Sequence, residues 1–372
     1  MLNYLNIKKM KGKVYLLTIL AASLMFFACG QQKNSFVIKQ GVNINNAFSG
    51  LRGTGRNTFS RTDIEFIANS GFDHVRIPMD ESTMFNANGQ KIERAFALLH
   101  EILGWCDEFK LRAIVELHSL RSHSFLGTSD TERLLFTDPN AQEQLYEFWR
   151  KISGELKDKY SVDMVAYEPL NEPVAVEPEI WNVILNRYIE VIRELEPNRT
   201  ILLPPNQWNT SANVKYLRIP ENDPNLIISI HYYSPMLLTH YRASWVSDDD
   251  LSNLAVPVHY PGQLIADADL DSVSNSMARQ GRRVYNIDVM ENELMQAIEV
   301  GKKYNIPINC GEYGCITYAP EEDRIRWYKD VYTLFTKYGM STTSWDYKSN
   351  NFGIVTTEGV PQTKIINAIL GK

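Results

Sequence analysis

The sequence has no excess of basic residues, no internal repeat and no low-complexity segment. Its 38 lysines and arginines are interspersed among 44 aspartates and glutamates, and the formal net charge is -6. Nucleic-acid-binding surfaces need clustered positive charge, so this composition argues against a nucleic-acid partner.

Cysteine is scarce, with four residues in a chain of 372. Cys106 falls on the apolar stripe of a predicted helix, which indicates a buried thiol. Cys310 and Cys315 flank Glu312, and a disulfide between them is conceivable in an oxidising compartment. Because that bond would constrain the loop that carries Glu312, we expect both thiols to stay free.

The apolar run at residues 14–28 is too short for a convincing membrane span. It follows Lys8, Lys9, Lys11 and Lys13, so the segment has the charged and apolar regions of an export signal. Translation from Met10 would leave a complete signal, since residues 10–13 already supply positive charge.

The end of this run, Phe-Phe-Ala-Cys at residues 26–29, resembles a bacterial lipoprotein box. We therefore predict a lipoprotein-type signal peptide at residues 1–28, an acyl anchor on Cys29 and a polar spacer at residues 29–35. The alternative is an ordinary signal cleaved nearby. In the first case the mature protein is exported to the cell envelope, on the periplasmic side or at the cell surface, and only the lipid on Cys29 tethers it to a membrane.

The rest of the chain alternates between apolar runs and amphipathic stretches, and 44% of all residues are hydrophobic. The strand-like runs are residues 36–44, 72–78, 111–118, 165–173, 200–203, 226–233, 306–314 and 341–345. The helix-like stretches are residues 61–71, 91–110, 139–160, 178–195, 290–304, 322–338 and 363–370. The eight strand-like runs, alternating with helix-like stretches, predict an α/β fold, a (β/α)₈ TIM barrel that spans residues 36–372.

One long segment, at about residues 234–285, interrupts this alternation. We predict that it is a subdomain inserted between the sixth strand and the sixth helix, on the face where barrel enzymes carry their sites. Tyr241 and Trp245 are its candidates for aromatic contact with a substrate. The alternative is a structural brace that never meets the substrate.

Two glutamates stand at the ends of buried runs. Glu172 belongs to Asn-Glu-Pro at residues 171–173, and Glu312 ends the apolar run that starts at residue 306. Paired carboxylates at the ends of two parallel strands suit a glycosidase, in which one acts as acid and the other as nucleophile. Glu168 shares the parity of Glu172 but lies deeper, where a partner such as an arginine must compensate it.

Other polar residues at strand ends suit the same chemistry. Arg76 could keep the nucleophilic carboxylate ionised and lower its pKa. Asn171 could bind a sugar 2-hydroxyl, Tyr233 could bond the nucleophile, and Trp345 could stack on a sugar ring. His118 and His231 have strand-end positions that argue against plain core residues. A metal site is not expected, because the first strand has no His-x-His pair.

This set of residues resembles glycoside hydrolase family 5, a family of retaining enzymes. The resemblance runs from about residue 36 to the end of the chain. It implies that Glu172 is the acid/base and Glu312 the nucleophile, with no cofactor. It also implies that the central subsite is lined by Arg76, His118, Asn171, His231, Tyr233 and Trp345.

Five segments are similar to the endoglucanase C branch of that family, namely residues 73–78, 136–140, 239–245, 260–262 and 309–314. This similarity implies a monomeric enzyme that cleaves β-1,4-linked or mixed-linkage glucan within the chain. Two departures concern the walls of the subsites: Ser119 follows His118 where many relatives have a second histidine, and residues 45–48 replace Gly-Gly-Trp. A β-mannanase, an exo-β-glucosidase and a non-catalytic glycan-binding lipoprotein are the alternatives.

Overall fold

The strands form where the sequence concentrates buried aliphatic residues. The computed structural model describes residues 35–51, 59–127, 129–246 and 248–372. Its ten strands within those ranges are β1 (Gln40–Asn43), β2 (His74–Asp80), β3 (Arg112–Ser119), β4 (Val165–Glu168), β5 (Ile201–Leu203), β6 (Leu226–Tyr232), β7 (Gly262–Gln263), β8 (Val284–Tyr285), β9 (Ile308–Tyr313) and β10 (Ser341–Ser344).

Eight of these described strands are parallel and close into a barrel, which confirms the predicted fold. Their order around the barrel is β1-β10-β9-β6-β5-β4-β3-β2. Every residue of β4, β6 and β9 is buried, as expected for strands covered by a helix layer on one face and by the barrel interior on the other. The carboxyl ends of all eight strands therefore open on one face of the molecule.

Helices surround the barrel and bury an apolar face against it. The α-helices in the described part of the chain are α1 (Arg61–Ser70), α2 (Glu81–Met84), α3 (Glu93–Glu108), α4 (Pro139–Leu156), α5 (Pro178–Leu195), α6 (Met236–Thr239), α7 (Asp249–Ser252), α8 (Asn275–Gly281), α9 (Ile287–Tyr304), α10 (Glu321–Lys337) and α11 (Thr363–Leu370). Their buried residues recur at helical spacing, such as Trp181, Leu185, Tyr188 and Ile192 on α5.

The sequence explains where two of these helices begin. Asp138 accepts a hydrogen bond from the backbone N–H of Asn140, and Pro139 occupies the first turn of α4. Asn286 caps α9 in the same way through the N–H of Val289, so this helix starts three residues before the predicted residue 290.

The connection from β5 to β6 departs from the predicted alternation, because it contains a 3₁₀-helix (Ser211–Tyr216) where a barrel usually has an α-helix. This segment is short and is followed by Pro220, which cannot extend a helix. Ser211 donates a hydrogen bond to the carbonyl oxygen of Glu293, so the 3₁₀-helix is attached to α9.

The barrel interior below the open face is filled by a small apolar cluster, separate from the cluster between strands and helices. It consists of Phe36, Ile38, Ile114, Ala166, Leu202 and Ile227. Ile114 is two residues before Glu116 on β3, so the two side chains share a face, with Ile114 nearer the amino-terminal end. The interior is thus apolar at one end and charged at the other.

The segment between β6 and α9 carries α6, α7, α8 and the antiparallel pair β7–β8. Its buried residues Leu254, Val258 and Tyr260 belong to the same hydrophobic cluster as the barrel helices. The expectation that Tyr241 contacts substrate is wrong: its hydroxyl donates to the carbonyl oxygen of Val256, and the side chain is buried. Trp245 is 41% exposed, and its contact with substrate stays a prediction.

The predicted thiol states are confirmed for the cysteines that the structure describes. Cys106, Cys310 and Cys315 are all free and buried. The signal peptide at residues 1–28, the anchor residue Cys29 and residues up to 34 of the spacer lie outside the described residues. Among the helices that are described, none combines the length and the apolarity needed to cross a membrane.

We predict that Arg199 is a major source of barrel stability. Its buried guanidinium donates to Glu196 and to the carbonyl oxygens of Ser161, Val165 and Tyr160. Arg199→Leu should lower the free energy of unfolding by roughly 3–5 kcal/mol, because Glu196 is left as a buried charge without its partner. Urea denaturation measures this difference.

The matched control is Arg187→Leu. Arg187 also pairs with a glutamate three residues away, Glu190, but both side chains are exposed. Its removal should change the urea midpoint little, because solvent already screens such pairs. Equal destabilisation by the two substitutions would contradict the assignment of stability to the buried network.

Candidate active site

Glu172 lies in the turn after β4, four residues beyond the end of that strand at Glu168. The expectation that the strand continues to Pro173 is therefore wrong, since its ladder already ends before Pro169. Two hydrogen bonds hold the turn: Trp149 Nε1 donates to the Pro169 carbonyl oxygen at 3.0 Å, and the Asn171 N–H donates to that of Leu117 at 2.8 Å.

The backbone of Glu172 has φ of 45°, in the left-handed region that non-glycine residues rarely occupy. This conformation is held by the surrounding turn, and such strain is concentrated at functional positions. The side chain is 12% exposed and reaches the open face of the barrel.

Glu312 belongs to β9 and stands beside His231 of β6 in the strand register. Arg76 Nη1 donates to one of its carboxylate oxygens at 2.8 Å, and the Tyr233 hydroxyl donates to the other at 3.0 Å. Both contacts were predicted from the sequence and are confirmed. Each oxygen of Glu312 thus accepts one hydrogen bond.

The two carboxyl groups face each other at short range. Glu172, Glu312 and His231 each place one polar atom so that the three atoms lie within 4.8 Å of one another. His231 Nδ1 is 2.8 Å from Glu172 Oε1 and 3.6 Å from Glu312 Oε2. The imidazole of His231 is therefore within hydrogen-bonding distance of Glu172 and also lies close to Glu312.

Arg76 is completely buried and joins four strands. Its Nε donates to Glu168 at 2.7 Å, which confirms that Glu168 needs an arginine partner. Its Nη2 donates to Asn171 Oδ1 at 2.9 Å, and its Nη1 donates to Asn43 Oδ1 at 3.0 Å as well as to Glu312. The guanidinium thus fixes Asn171 and Glu312 relative to each other.

The pKa of Glu172 is raised well above its ordinary value, chiefly by burial and then by the negative charge of Glu312. The pKa of Glu312 is also raised, because burial outweighs the opposing effects of Arg76 and His118. Arg76 does lower the pKa of Glu312, as predicted, but burial raises it by more, so the net shift is upward. On acidification the proton goes first to Glu172, since the cations favour ionised Glu312.

The pKa values of the two histidines are shifted in opposite directions. Burial and the nearby Arg76 lower the pKa of His231 far below its ordinary value, so this imidazole is neutral. Glu116 and Glu312 raise the pKa of His118 against the effect of burial. The His118 ring stacks on Trp345 with centroids 5.6 Å apart and planes 9° apart, at the edge of the cleft.

All eight residues predicted for the site thus lie at the same end of the barrel, but Asn43 and Glu116 were missed. Asn43 of β1 accepts from Arg76 and donates to the carbonyl oxygen of Gly311. Glu116 of β3 lies beside His118, with Nδ1 and Oε2 3.2 Å apart. A polar residue inside a strand of otherwise buried residues was the available signal for both.

An aromatic cluster supports Glu312 from the side of the inserted segment. The ring of Tyr233 packs against His240 and Phe352, and Trp245 packs against the same two rings. Trp245 therefore extends this cluster outward to the protein surface, starting from Tyr233, the residue that bonds Glu312.

A parallel eight-stranded barrel with two facing carboxyl groups at its carboxyl-terminal end defines a glycoside hydrolase. The family model described as Cellulase (glycosyl hydrolase family 5) matches residues 37–351. The chain belongs to this family and is a glycosyl hydrolase.

Characterised relatives and solved structures agree with this assignment. Endoglucanase C of Acetivibrio thermocellus is 28% identical over 317 residues, which are 83% of this chain and 90% of the relative. Cellodextrinase A of Ruminococcus flavefaciens is 29% identical over 287 residues, 77% of each chain. Cel5A of Thermotoga maritima, solved with mannotriose, superposes with a TM-score of 0.71 at 25% identity and covers 90% of this chain and 98% of its own.

The raised pKa of Glu172 predicts a pH-dependent effect of Glu172→Gln on stability. A carboxyl whose pKa is higher in the folded state binds more protons there, so stability falls as pH rises from about 4.3, the unfolded value, through the folded pKa. Glutamine never ionises and removes this loss. Urea denaturation should show the variant to be more stable than wild type at pH 7, with a smaller gain at pH 4.

Glu143→Gln is the control, because Glu143 is an exposed residue of α4. It should give no gain that grows with pH in this way. A Glu172→Gln variant that is less stable than wild type at pH 7 would contradict the interpretation.

Proposed function

We propose that this enzyme hydrolyses β-1,4-glucosidic bonds within glucan chains by double displacement, with Glu172 as acid/base and Glu312 as nucleophile. The approach of their carboxyl oxygens to within 4.8 Å supports this proposal, together with the relation to endoglucanases. Retaining glycosidases have carboxyl groups about 5–5.5 Å apart, whereas inverting ones need about 6.5–9.5 Å to admit a water.

In the first step, an oxygen of Glu312 attacks the anomeric carbon while protonated Glu172 gives its proton to the leaving oxygen. The glycosidic C–O bond breaks and an ester to Glu312 forms. In the second step, Glu172 takes a proton from water, whose oxygen attacks the anomeric carbon and releases Glu312. Glu172 ends each cycle protonated, and no outside reactant other than water is used.

The neighbours of the pair suit these steps. Arg76 donates to Asn171 Oδ1 and so fixes the orientation of the Asn171 amide. The NH₂ group of Asn171 has no hydrogen bond within the described structure and can donate to a sugar 2-hydroxyl. Tyr233 and Arg76 direct the oxygens of Glu312. In one tautomer, neutral His231 can accept a hydrogen bond from protonated Glu172. In the other tautomer, it can donate a hydrogen bond to ionised Glu172.

For the substrate, the relatives support glucan, and the mannotriose complex of the Thermotoga maritima enzyme makes mannan the alternative. An exo-acting glucosidase is the second alternative, as cellodextrinase A is also a relative. Both acids are present in this chain, which argues against a non-catalytic glycan-binding protein. We propose that the enzyme acts as a monomer and without metal or cofactor.

Activity on three polysaccharides tests the proposed substrate. We expect reducing ends to be released from carboxymethylcellulose and lichenan at least ten times faster than from mannan, since a pocket that hydrogen-bonds hydroxyls discriminates strongly between their positions. The viscosity of carboxymethylcellulose should fall early, because endo cleavage shortens chains in the middle. Faster release from mannan, or glucose as the first product, would establish the corresponding alternative.

Azide separates the roles of the two glutamates. Glu172→Ala should lose most activity on polysaccharide but still form the ester from an activated aryl glycoside, whose leaving group needs no proton. Azide then attacks without a base and yields the β-glycosyl azide after two displacements. Glu312→Ala lacks the nucleophile, so azide attacks from the vacated side and yields the α-azide. NMR identifies the anomers, and the reverse pairing would show that the roles are exchanged.

We further propose that the enzyme is exported and anchored through a lipid on Cys29, a proposal that rests on the sequence of residues 8–29. Expression of the full chain with labelled palmitate should give a labelled protein in the membrane fraction. Cys29→Ala should abolish the label and release active enzyme. Label that persists in Cys29→Ala, or a soluble unlabelled wild type, would support an ordinary signal peptide.

A further inference from the structure

Two buried carboxyl groups lie directly below the catalytic pair. Glu116 of β3 and Glu168 of β4 stand opposite each other in the strand register, and neither has exposed surface. Like charges in such positions repel each other, and burial makes the repulsion stronger. Nearby positive charge or bound protons must compensate them.

Arg76 is shared unequally between these two acids. Its Nε is 2.7 Å from Glu168, which also accepts a hydrogen bond from the Ser229 hydroxyl at 2.7 Å. The guanidinium comes no closer than 3.6 Å to Glu116 Oε2, through Nη2. The second oxygen of Glu116, Oε1, is buried and has no hydrogen-bond partner. Glu168 therefore accepts a hydrogen bond from the guanidinium, whereas Glu116 forms only a longer ion pair with it.

The closest polar contact of Glu116 is with His118, two residues along β3 on the same face. Nδ1 of His118 lies 3.2 Å from Glu116 Oε2. An ion pair at 3.6 Å without a hydrogen bond, shared with other carboxylates, offsets only part of the cost of burying the Glu116 carboxylate. Glu116 and His118 can avoid this cost by sharing one proton. When Glu116 is ionised, that proton is on the imidazole of His118, which is then positively charged.

We propose that Glu116 is a positioning residue that keeps His118 protonated, so that an imidazolium ion faces Glu312 and favours its ionised, nucleophilic form. The proposal deepens the proposed function, since it rests on Glu312 being the nucleophile. Glu116 itself is completely buried, and it acts on the catalytic pair through its contacts with His118 and Arg76 and through its negative charge.

The groups that face His118 from the surrounding strands agree with this role. Glu312 on β9 favours the imidazolium charge, whereas Arg76 on β2 and burial oppose it. His231 on β6 is neutral and adds no charge. The rings of Trp345 and Phe125 lie against the imidazole, at centroid distances of 5.6 and 5.3 Å. A stacked indole stabilises a cationic ring and fixes its orientation.

The imidazolium would matter most before the first chemical step. Ester formation consumes the negative charge of Glu312, and the proton transfer leaves Glu172 ionised. Charge thus moves from one acid to the other during the reaction. A cation held at His118 assists the starting distribution, in which Glu312 is ionised while Glu172 keeps its proton.

The test is the titration of His118 in the full-length enzyme and in Glu116→Gln, followed by NMR of the imidazole nitrogens. The chain has seven histidines, and His118→Gln identifies the signal. In wild type, the midpoint should lie above about 6.5, the usual value for histidine. In Glu116→Gln it should fall by about one unit or more, because the nearest negative charge is gone. An unchanged midpoint would overturn the proposal.

Kinetics give a second readout. Loss of the imidazolium should shift the acidic limb of kcat/KM upward, because His118 lowers the pKa of Glu312 by more than the charge of Glu116 raises it. Loss of the Glu116 charge should shift the alkaline limb downward, because that charge helps Glu172 keep its proton. We expect the pH range of activity to narrow from both sides. A lower kcat with unmoved limbs would indicate a merely structural role and overturn the proposal.

Two further variants keep the test decisive. Glu116→Asp retains the charge, so it should restore most of the His118 midpoint. If Glu116→Gln does not fold, the wild-type titration still decides, because a midpoint below about 6.5 would overturn the proposal. Glu196→Gln removes a buried carboxylate that bonds Arg199 and Ser153 outside the cleft, and it should lower stability without moving either limb. If the azide products have the reversed anomers while the His118 midpoint shifts as expected, the role of Glu312 is refuted. The sharing of a proton between His118 and Glu116 then still stands.

Discussion

Arg76 holds the acidic groups of the cleft together. A barrel that gathers Glu116, Glu168, Glu172 and Glu312 at one end pays a large desolvation cost, and a fully buried guanidinium with five donors offsets part of it. Its planar shape matters, because Nε bonds Glu168 of β4 and Nη1 bonds residues of β1 and β9, while Nη2 bonds Asn171 in the turn after β4. A lysine would supply the charge but could not bond three strands in fixed directions.

The two facing glutamates have different environments because this cation is not centred between them. Arg76 and Tyr233 donate directly to Glu312, whereas His231 is the hydrogen-bond partner of Glu172. Both carboxyl groups are desolvated, so burial raises the pKa of each, but the positive charge lies on the side of Glu312. Two residues of one chemical type thereby differ in how readily they ionise, as the proposed roles of acid and nucleophile require.

The scaffold restrains the site without being part of the chemistry. The turn that carries Glu172 is fixed by the Trp149 indole, which reaches from α4 to the Pro169 carbonyl oxygen. On the opposite side, the cluster of Tyr233, His240 and Phe352 packs under the inserted segment. Because helix layer and insertion share one hydrophobic core with the strands, the left-handed backbone of Glu172 is held by packing over a wide area.

The sequence alone determined the barrel and the residues at its open end, because alternation of buried strands and amphipathic helices is a local pattern. It also indicated the contacts of Arg76 and Tyr233 with Glu312, since strand ends meet at one face. Tertiary structure decided what depends on register and distance: that β4 ends before Pro169, that Tyr241 is buried, and that Glu116 lies beside His118. It also decided the raised pKa of Glu312, because desolvation depends on how completely other elements cover a side chain, and no local pattern records that.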